Sequence, residues 1–194
     1  MKQDIILAGV GGQGILSIAT VIGSAALQQG LYLKQAEVHG MSQRGGDVQS
    51  TMRISSSPIY SDLVPLGGAD MIASLEPMEA LRYVPYLAPD GWIVTNTTPL
   101  VNIPNYPEMS AIQAELARYP QVVSLDADSI AKDLGSPRSA NMVLLGAMAA
   151  MLHVLDPDKL RDGISRIFAR KGEAVVLSNI KAFDAGLQVS LKGR

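Results

Sequence analysis

The sequence predicts an α/β fold, a Rossmann-like domain of three layers in which a mostly parallel sheet carries an inserted β-hairpin. Two observations support this prediction. Short apolar runs that suit buried strands alternate along the chain with segments of helical periodicity. Residues 48–54 instead alternate apolar with polar side chains, and a turn signal at 55–58 separates them from residues 59–64. This second pattern predicts the hairpin, with residues 59–64 as its returning strand.

The first strand and the turn that follows it organise the rest of the chain. The apolar run at 5–8 predicts a strand buried on both faces, and a helical pattern begins at Ile15. Four glycines lie between the two, in the order Gly9-Val-Gly11-Gly12-Gln13-Gly14. Glycine takes positive φ without steric cost, and the unpaired N–H groups of a helix start attract an anion. The Gly-x-Gly-x-x-Gly spacing after a strand and before a helix therefore predicts a functional turn.

The remaining elements follow from periodicity and from end signals. Gly30 and Gly135 suit helix C-termini, while Asp126 and the pair Asp156-Pro157 suit helix N-termini. The predicted strands after the first cover residues 31–38, 48–54, 59–64, 71–75, 91–95 and 122–125. The predicted helices cover residues 15–29, 77–87, 111–118, 126–134, 136–154, 156–171 and 173–185, of which 136–154 is the longest. We expect one domain over residues 1–194.

Composition excludes several classes of function. Apolar residues make up 47 % of the chain and charged residues 18 %, which is typical of a well-cored protein. The formal net charge is −2 and aromatic residues are 5 %, so nucleic acid is not expected as a partner. There is no cysteine, which excludes disulfides and thiolate-held iron–sulfur clusters within this chain. We expect a cytoplasmic protein, because no secretory signal or membrane-length apolar segment is visible.

A second segment rich in hydrogen-bond donors follows the strand at 31–38. It reads His39-Gly-Met-Ser-Gln-Arg-Gly-Gly46. Flanking glycines permit a close approach to Arg44, whose guanidinium can form two bonds to a carboxylate or phosphate. A loop cation in solvent is the simpler alternative. His39 is either a hydrogen-bonded loop residue or a proton donor near a reaction centre, and no clustered acid or cysteine beside it suggests a metal ligand.

The two glycine segments together resemble the gamma-type domain of 2-oxoacid:ferredoxin oxidoreductases. The string from His39 to Gly46 is similar to that of the beta subunits in the indolepyruvate branch, whereas pyruvate, 2-oxoglutarate and branched-oxoacid members more often have Tyr-Gly or Ser-Tyr-Gly before Arg-Gly-Gly. Asn141-Met-Val-Leu-Leu-Gly146 and Asn179-x-Lys-Ala-Phe183 also resemble the family. The resemblance spans nearly the whole chain. Asp47 departs from it, since a small residue such as serine is expected there.

The resemblance implies a subunit that works within a larger enzyme. In the family, a large alpha subunit carries thiamine diphosphate and [4Fe–4S] clusters. An aryl 2-oxoacid is decarboxylated there, the acyl group passes to coenzyme A, and electrons pass to ferredoxin. The chain itself then requires no cofactor and no metal, and neither nucleic acid nor membrane is a partner. The missing cysteines agree with this division of roles.

The resemblance leaves three interpretations of the glycine turn open. The turn is a tight connection without a ligand, an anion site for coenzyme A phosphate or a 2-oxoacid carboxylate, or a contact with the partner subunit. Gln13 favours the last two, because its amide offers hydrogen bonds. The expected contact residues are Gly11, Gly12, Gln13, Gly14, Ser42, Gln43, Arg44, Gly45 and Gly46, and His39 and Arg44 are expected to support the partner's catalysis.

Two other functions remain alternatives. A stand-alone NAD(P)-dependent oxidoreductase needs an acidic residue about twenty positions after the glycines for the ribose hydroxyl, and Glu37 is in range although its surroundings are polar. A non-catalytic module for an acyl or adenylate ligand is the second. No Ser-His-Asp set, carboxylate pair or metal cluster suggests chemistry carried out by this chain alone.

Overall fold

The computed structural model describes residues 1–40 and 45–192. Six strands form one sheet in the order β2-β3-β1-β4-β5-β6. The strands are β1 (Lys2–Val10), β2 (Tyr32–His39), β3 (Asp47–Ser55), β4 (Ala69–Ser74), β5 (Leu87–Asn96) and β6 (Val122–Leu125). The helices are α1 (Ile15–Gln28), α2 (Pro77–Arg82), α3 (Met109–Leu116), α4 (Ala127–Asp133), α5 (Ala140–Ala149), α6 (Pro157–Phe168) and α7 (Glu173–Lys192).

The sheet is mixed, with its parallel part on one side of β1. Strands β1, β4, β5 and β6 run parallel, and β3 runs antiparallel between β1 and β2. Strand β1 is central, and all of its residues after Lys2 are buried. This burial explains why its sequence is a continuous apolar run, since both faces are covered. The predicted α/β class with a mostly parallel sheet is confirmed.

The hairpin is present, but its strands differ from those predicted. Strand β3 pairs with β2 over eight residues, with Leu33 opposite Ile54 and His39 opposite Val48. The prediction that residues 59–64 return as the partner strand is wrong, because that segment has no regular strand. The guanidinium of Arg53 instead binds the carbonyl groups of Ser61 and Leu63, each at 3.1 Å. The Arg53 side chain thus donates to carbonyl groups that would otherwise accept hydrogen bonds from a neighbouring strand.

Helices cover both faces of the sheet and complete three layers. Residues of α1, α4, α5, α6 and α7 share one apolar core with one face, while α2 and α3 pack on the other. The prediction of helix 136–154 as the longest is wrong: a 3₁₀ turn occupies Pro137–Ser139, and α5 has ten residues. The longest is α7, with twenty, because its buried side continues past Ala185 to Ser190.

Helix α5 is buried on every side, as its all-round apolar sequence predicts. It crosses α7 in close contact at two glycines. A Cβ atom on Gly146 would overlap the carbonyl oxygen of Phe183, and one on Gly186 would overlap that of Val143. The two backbones therefore touch, which only glycine permits at these positions. Within the described residues, no helix is long and apolar enough to cross a membrane.

Candidate functional site

The glycine turn connects the carboxyl end of β1 to the start of α1. Gly12 has φ 103° and Gly14 has φ 86°, both in the left-handed region that side chains disfavour. Gly14 is also the N-cap residue of α1, and no side chain caps this helix. The first N–H groups of α1 therefore have no side-chain acceptor, which leaves the turn suited to an anion or an anionic partner group.

Gln13 fixes the turn from within. Its amide oxygen accepts a hydrogen bond from the Val10 N–H at 2.8 Å, and its amide nitrogen donates to the Leu75 carbonyl at 3.0 Å. A Cβ atom on Gly9 would lie 2.9 Å from the same amide oxygen, so a larger residue at position 9 would crowd the Gln13 side chain. These bonds differ from the expectation that the Gln13 amide is offered to a ligand or partner. Its observed contacts join β1 to the end of β4.

A second polar side chain continues this connection across the sheet. The Asn96 amide nitrogen donates to the Leu75 carbonyl at 3.3 Å and to Asp128 Oδ2 at 2.7 Å. Its amide oxygen accepts from the Ala127 N–H at 3.0 Å. Gln13 and Asn96 therefore both donate to the Leu75 carbonyl oxygen. The ends of β1, β4 and β5 and the start of α4 are held as one rigid rim.

A cavity of about 450 Å³, here called the carboxyl-edge cavity, opens at this rim. It lies where α1 leaves β1 towards one face of the sheet and α2 leaves β4 towards the other. In open α/β sheets, ligands bind in such crevices outside the carboxyl ends of the strands. The lining residues are Gly12, Gln13, Leu75, Asn96, Asp128, Pro137, Arg138, Ala140 and Asn141.

A second cavity, of about 470 Å³ and here called the hairpin-side cavity, also adjoins the turn. Gly11, Gly12 and Gly14 line it together with His39 and Val48, among others. The His39 side chain is exposed, and its Nδ1 lies 3.4 Å from the Gly40 carbonyl oxygen. Gly12 of the glycine turn therefore lines both cavities.

The structure brings the two glycine segments of the sequence into direct contact. The Gly11 N–H donates to the Gly46 carbonyl at 2.8 Å, and the Gly45 N–H donates to the Gly11 carbonyl at 3.4 Å. The Asn102 amide also donates to the Gly45 carbonyl at 2.7 Å. Three other expected contact residues lie outside the described residues, namely Ser42, Gln43 and Arg44.

Asn141 is a buried residue of the site that the contact-residue prediction omits. Its amide nitrogen donates to the Gly14 carbonyl at 3.2 Å, which joins α5 to the glycine turn. Its amide oxygen is buried and has no hydrogen-bond partner among the described residues. The sequence does indicate this residue, because asparagine begins the segment at 141–146 that resembles the family. Its contact with the glycine turn could not be predicted, because it joins residues 127 positions apart.

Acidic groups near the rim cap helices and hold a loop. The Asp126 carboxylate caps α4 by accepting from the Ser129 N–H at 2.9 Å, and this bond lowers the pKa of Asp126. Glu76 is fully buried, caps α2 through the Glu79 N–H, and accepts from the Tyr106 hydroxyl. Burial and then this bond raise the pKa of Tyr106 well above its usual value. These groups are structural anchors in the described residues.

The geometry does not favour the dinucleotide alternative. That alternative needs an acidic residue on the strand next to β1. Glu37 lies on β2, and the antiparallel strand β3 separates β2 from β1. The Glu37 carboxylate accepts from Gln35 Nε2 at 2.7 Å. Over residues 1–40 and 45–192, moreover, no group of three or more His, Cys, Asp or Glu side chains is arranged to hold a metal ion.

We expect Gln13→Met to loosen the glycine turn. The variant keeps the length of the side chain but leaves the Val10 N–H without its acceptor, and the turn loses its bond to Leu75. The free energy of unfolding should fall by about 1–3 kcal/mol, the range for unsatisfied buried groups. Thermal denaturation measures this. Gln28→Met is the matched control, because the Gln28 side chain makes one 3.3 Å hydrogen bond, to Ser24. Equal melting temperatures for both variants would contradict a stabilising role for the Gln13 hydrogen bonds.

Comparison with known proteins gives matches along nearly the whole of this chain. The family model for pyruvate ferredoxin/flavodoxin oxidoreductases matches residues 4–189. Indolepyruvate oxidoreductase subunit IorB of Archaeoglobus fulgidus is 34 % identical, over 100 % of this chain and 98 % of the relative. IorB of Pyrococcus horikoshii is 36 % identical, over 98 % and 97 %. Ketoisovalerate oxidoreductase subunit VorA of Methanothermobacter thermautotrophicus is 28 % identical, over 94 % of this chain and 35 % of the relative.

Solved structures share the fold. The gamma subunit of a keto/oxoacid ferredoxin oxidoreductase from Geobacter sulfurreducens superposes with a TM-score of 0.72 at 26 % identity, over 98 % of this chain and 99 % of that one. The 2-oxoglutarate:ferredoxin oxidoreductase of Magnetococcus marinus, solved with 2-oxoglutarate, coenzyme A and succinyl-CoA bound, gives a TM-score of 0.77 at 24 % identity. This match covers 98 % of this chain and 31 % of that longer one.

Proposed function

The chain belongs to the pyruvate ferredoxin/flavodoxin oxidoreductase family, and from this premise we propose that it is the small subunit of an indolepyruvate:ferredoxin oxidoreductase. The observation that carries the substrate class is the match to IorB proteins at 34–36 % identity along their length, against 28 % for the ketoisovalerate relative. The complex oxidatively decarboxylates aryl 2-oxoacids to acyl-CoA and passes the electrons to ferredoxin.

The partner in this proposal is a larger subunit that carries thiamine diphosphate and [4Fe–4S] clusters. A chain without cysteine has no thiolates for a cluster, so that chemistry belongs to another polypeptide. The small subunit contributes the glycine turn and the first N–H groups of α1, which no side chain caps. Gly11, Gly12 and Gly14 border one or both cavities beside this turn. We assign this turn to an anionic group of coenzyme A, of the 2-oxoacid or of the partner subunit, with the first N–H groups of α1 as donors, since the Gly11 N–H already bonds the Gly46 carbonyl.

Co-expression with the large subunit tests the proposal. The purified complex should reduce a viologen dye with indolepyruvate and phenylpyruvate in the presence of coenzyme A, and much more slowly with pyruvate. The small subunit alone should show no turnover. A preference for pyruvate, 2-oxoisovalerate or 2-oxoglutarate would instead identify a gamma subunit for that oxoacid. Turnover by the chain alone with NAD(P) would contradict the proposal.

Arg44→Ala should lower the activity of the complex while leaving the fold intact. The two residues that follow Arg44 in sequence, Gly45 and Gly46, form hydrogen bonds with Gly11 of the glycine turn. Loss of one charge-assisted hydrogen bond to an anion corresponds to about 1.5–3 kcal/mol, or roughly a 10- to 100-fold fall in kcat/KM. The melting temperature should stay within about 2 °C of the wild type.

Arg170→Ala is the control for this prediction. Arg170 lies in the 3₁₀ turn Ala169–Lys171, remote from the glycine segments in sequence, and it is exposed. The control should retain wild-type kcat/KM. Equal kcat/KM for Arg44→Ala and Arg170→Ala would show that Arg44 is only a solvated loop cation.

A further inference from the structure

The loop that joins β5 to α3, residues 97–108 and here called the β5–α3 loop, contacts the second glycine segment. Three prolines interrupt this loop, and all of its residues are described, none of them in a regular strand or helix. At its middle, the Asn102 amide nitrogen donates to the Gly45 carbonyl at 2.7 Å, across 57 positions of sequence. Gly45 and Gly46 in turn bond to Gly11 of the glycine turn. The loop therefore reaches the site through the Asn102 side chain.

A buried carboxylate holds the β5–α3 loop on both sides of Asn102. Glu76 Oε1 accepts from the Leu100 N–H at 3.4 Å and from the Tyr106 hydroxyl. Glu76 has no exposed area, so its charge depends on donors of this kind. Burial and then the bond to Glu76 raise the pKa of Tyr106, so the hydroxyl keeps its proton at neutral pH. Asn102 is therefore carried by a loop that is fixed at two points.

The Gly45–Gly46 peptide can adopt two orientations, and Asn102 selects one of them. Gly45 has φ 80°, and glycine on both sides lets this peptide turn over at little steric cost. The carbonyl and the following N–H of a planar trans peptide point in opposite directions. A bond to the Gly45 carbonyl therefore also fixes the direction of the Gly46 N–H. In the reverse orientation a carbonyl oxygen would take the place of this N–H, and an oxygen repels an anion.

The exposure of Asn102 indicates a role in orientation rather than in stability. Asn102 and Gly45 are both exposed, so water competes for their bond and its net contribution to folding is small. We propose that Asn102 is a positioning residue, which holds the Gly45–Gly46 peptide so that an N–H rather than a carbonyl oxygen faces the anion at the glycine turn. The identity of that anion rests on the proposed function, whereas the orientation of the peptide does not.

Nuclear magnetic resonance on the full chain tests the orientation without turnover. Glycine labelled with ¹³C and ¹⁵N gives carbonyl-to-amide correlations only for adjacent glycines, and the sequence has three such pairs: Gly11–Gly12, Gly45–Gly46 and Gly67–Gly68. Asn102→Ala should move the Gly45 carbonyl resonance upfield and broaden the Gly46 amide by conformational exchange. The control is Asn105→Ala, which removes an exposed amide of the same loop and should leave all three pairs as in the wild type.

Kinetics of the complex with the large subunit test the role in the reaction. Asn102→Ala should raise the KM for coenzyme A or for the 2-oxoacid about five- to tenfold and leave kcat within about twofold, because the ground state and the transition state both bind the positioned anion. If the anion belongs to the large subunit, the Kd of the complex should rise instead. Asn102→Gln keeps an amide donor and should recover most of the loss, and Asn105→Ala should match the wild type.

Two results would overturn the proposal. One is an unchanged Gly45 carbonyl resonance in Asn102→Ala. The other is a wild-type KM, kcat and Kd in a variant whose Gly45–Gly46 peptide does change. If the wild-type complex prefers another 2-oxoacid, the proposed substrate class fails, and the same comparison with that oxoacid decides the role of Asn102. A melting temperature within about 2 °C of the wild type shows that Asn102→Ala is folded.

Discussion

Gly146→Ala should lower the free energy of unfolding by at least about 3 kcal/mol, because the added Cβ atom meets backbone rather than a movable side chain. It would overlap the Phe183 carbonyl oxygen and lie 2.8 Å from the Leu187 nitrogen. Alanine gains only about 1 kcal/mol over glycine in a helix, so the clash dominates. Relief of the clash requires α5 and α7 to move apart, and α5 is the buried centre of the larger core. The expected fall in melting temperature is about 10 °C.

Gly163→Ala on α6 is the matched control for this prediction. A Cβ atom there would lie 3.1 Å from the Val21 carbonyl oxygen, which a small helix shift accommodates. Thermal denaturation should place this control within about 3 °C of the wild type. Gly186→Ala, on the facing helix, should resemble Gly146→Ala, since its Cβ atom would overlap the Val143 carbonyl oxygen. A wild-type melting temperature for either variant would contradict direct backbone contact between the two helices.

Asp4→Ala should lower the free energy of unfolding by about 3–5 kcal/mol, the range for removing one partner of a buried ion pair. The Asp4 carboxylate has no exposed area and accepts two bonds from the Arg53 guanidinium, at 3.0 and 3.1 Å. Arg53 is 15 % exposed, so its charge would be left largely buried without the carboxylate. The same guanidinium binds the carbonyl groups of Ser61 and Leu63, so the loop beside β3 should loosen as well. Urea denaturation measures the change.

Lys2→Ala is the control for Asp4. Lys2 also pairs with the carboxylate, at 2.8 Å, but it is 57 % exposed, so its removal should change the free energy of unfolding by less than about 1 kcal/mol. The double variant Asp4→Ala/Arg53→Ala should lose less stability than the sum of the two single variants, because it leaves neither charge buried without its partner. A double variant with the summed loss of both single variants would contradict an interaction between the two residues.

Parts of the candidate site could be predicted from sequence because their signals are local. A strand, four closely spaced glycines and the start of a helix follow one another over residues 2–15, and each element has a short-range cause. The helix starts at Asp126 and Asp156 are confirmed for the same reason, since each carboxylate accepts an N–H two or three positions later. The meeting of Gly46 with Gly11 supports treating the two glycine segments as one site.

Other parts depended on distant contacts. The Gln13 amide could bond either a ligand or the protein itself, and the sequence does not distinguish the two. In the structure it donates to the Leu75 carbonyl, which is 62 positions away. Asn96 and Arg138 join the site because β5 and the turn before α5 reach the same edge of the sheet. No periodicity in sequence records this arrangement. The resemblance identified the family, whereas the carboxyl-edge cavity depends on contacts between segments that are far apart in the chain.

The hairpin illustrates the same limit. The sequence predicted residues 59–64 as the partner of β3, whereas the structure pairs β3 with β2. Sequence alone determined the α/β class, the glycine turn and the lack of thiolate ligands, because these follow from residue type and short-range periodicity. Tertiary structure decided which strands pair, which amides are used internally and which side chains line a common cavity, because these depend on packing between segments far apart in the chain.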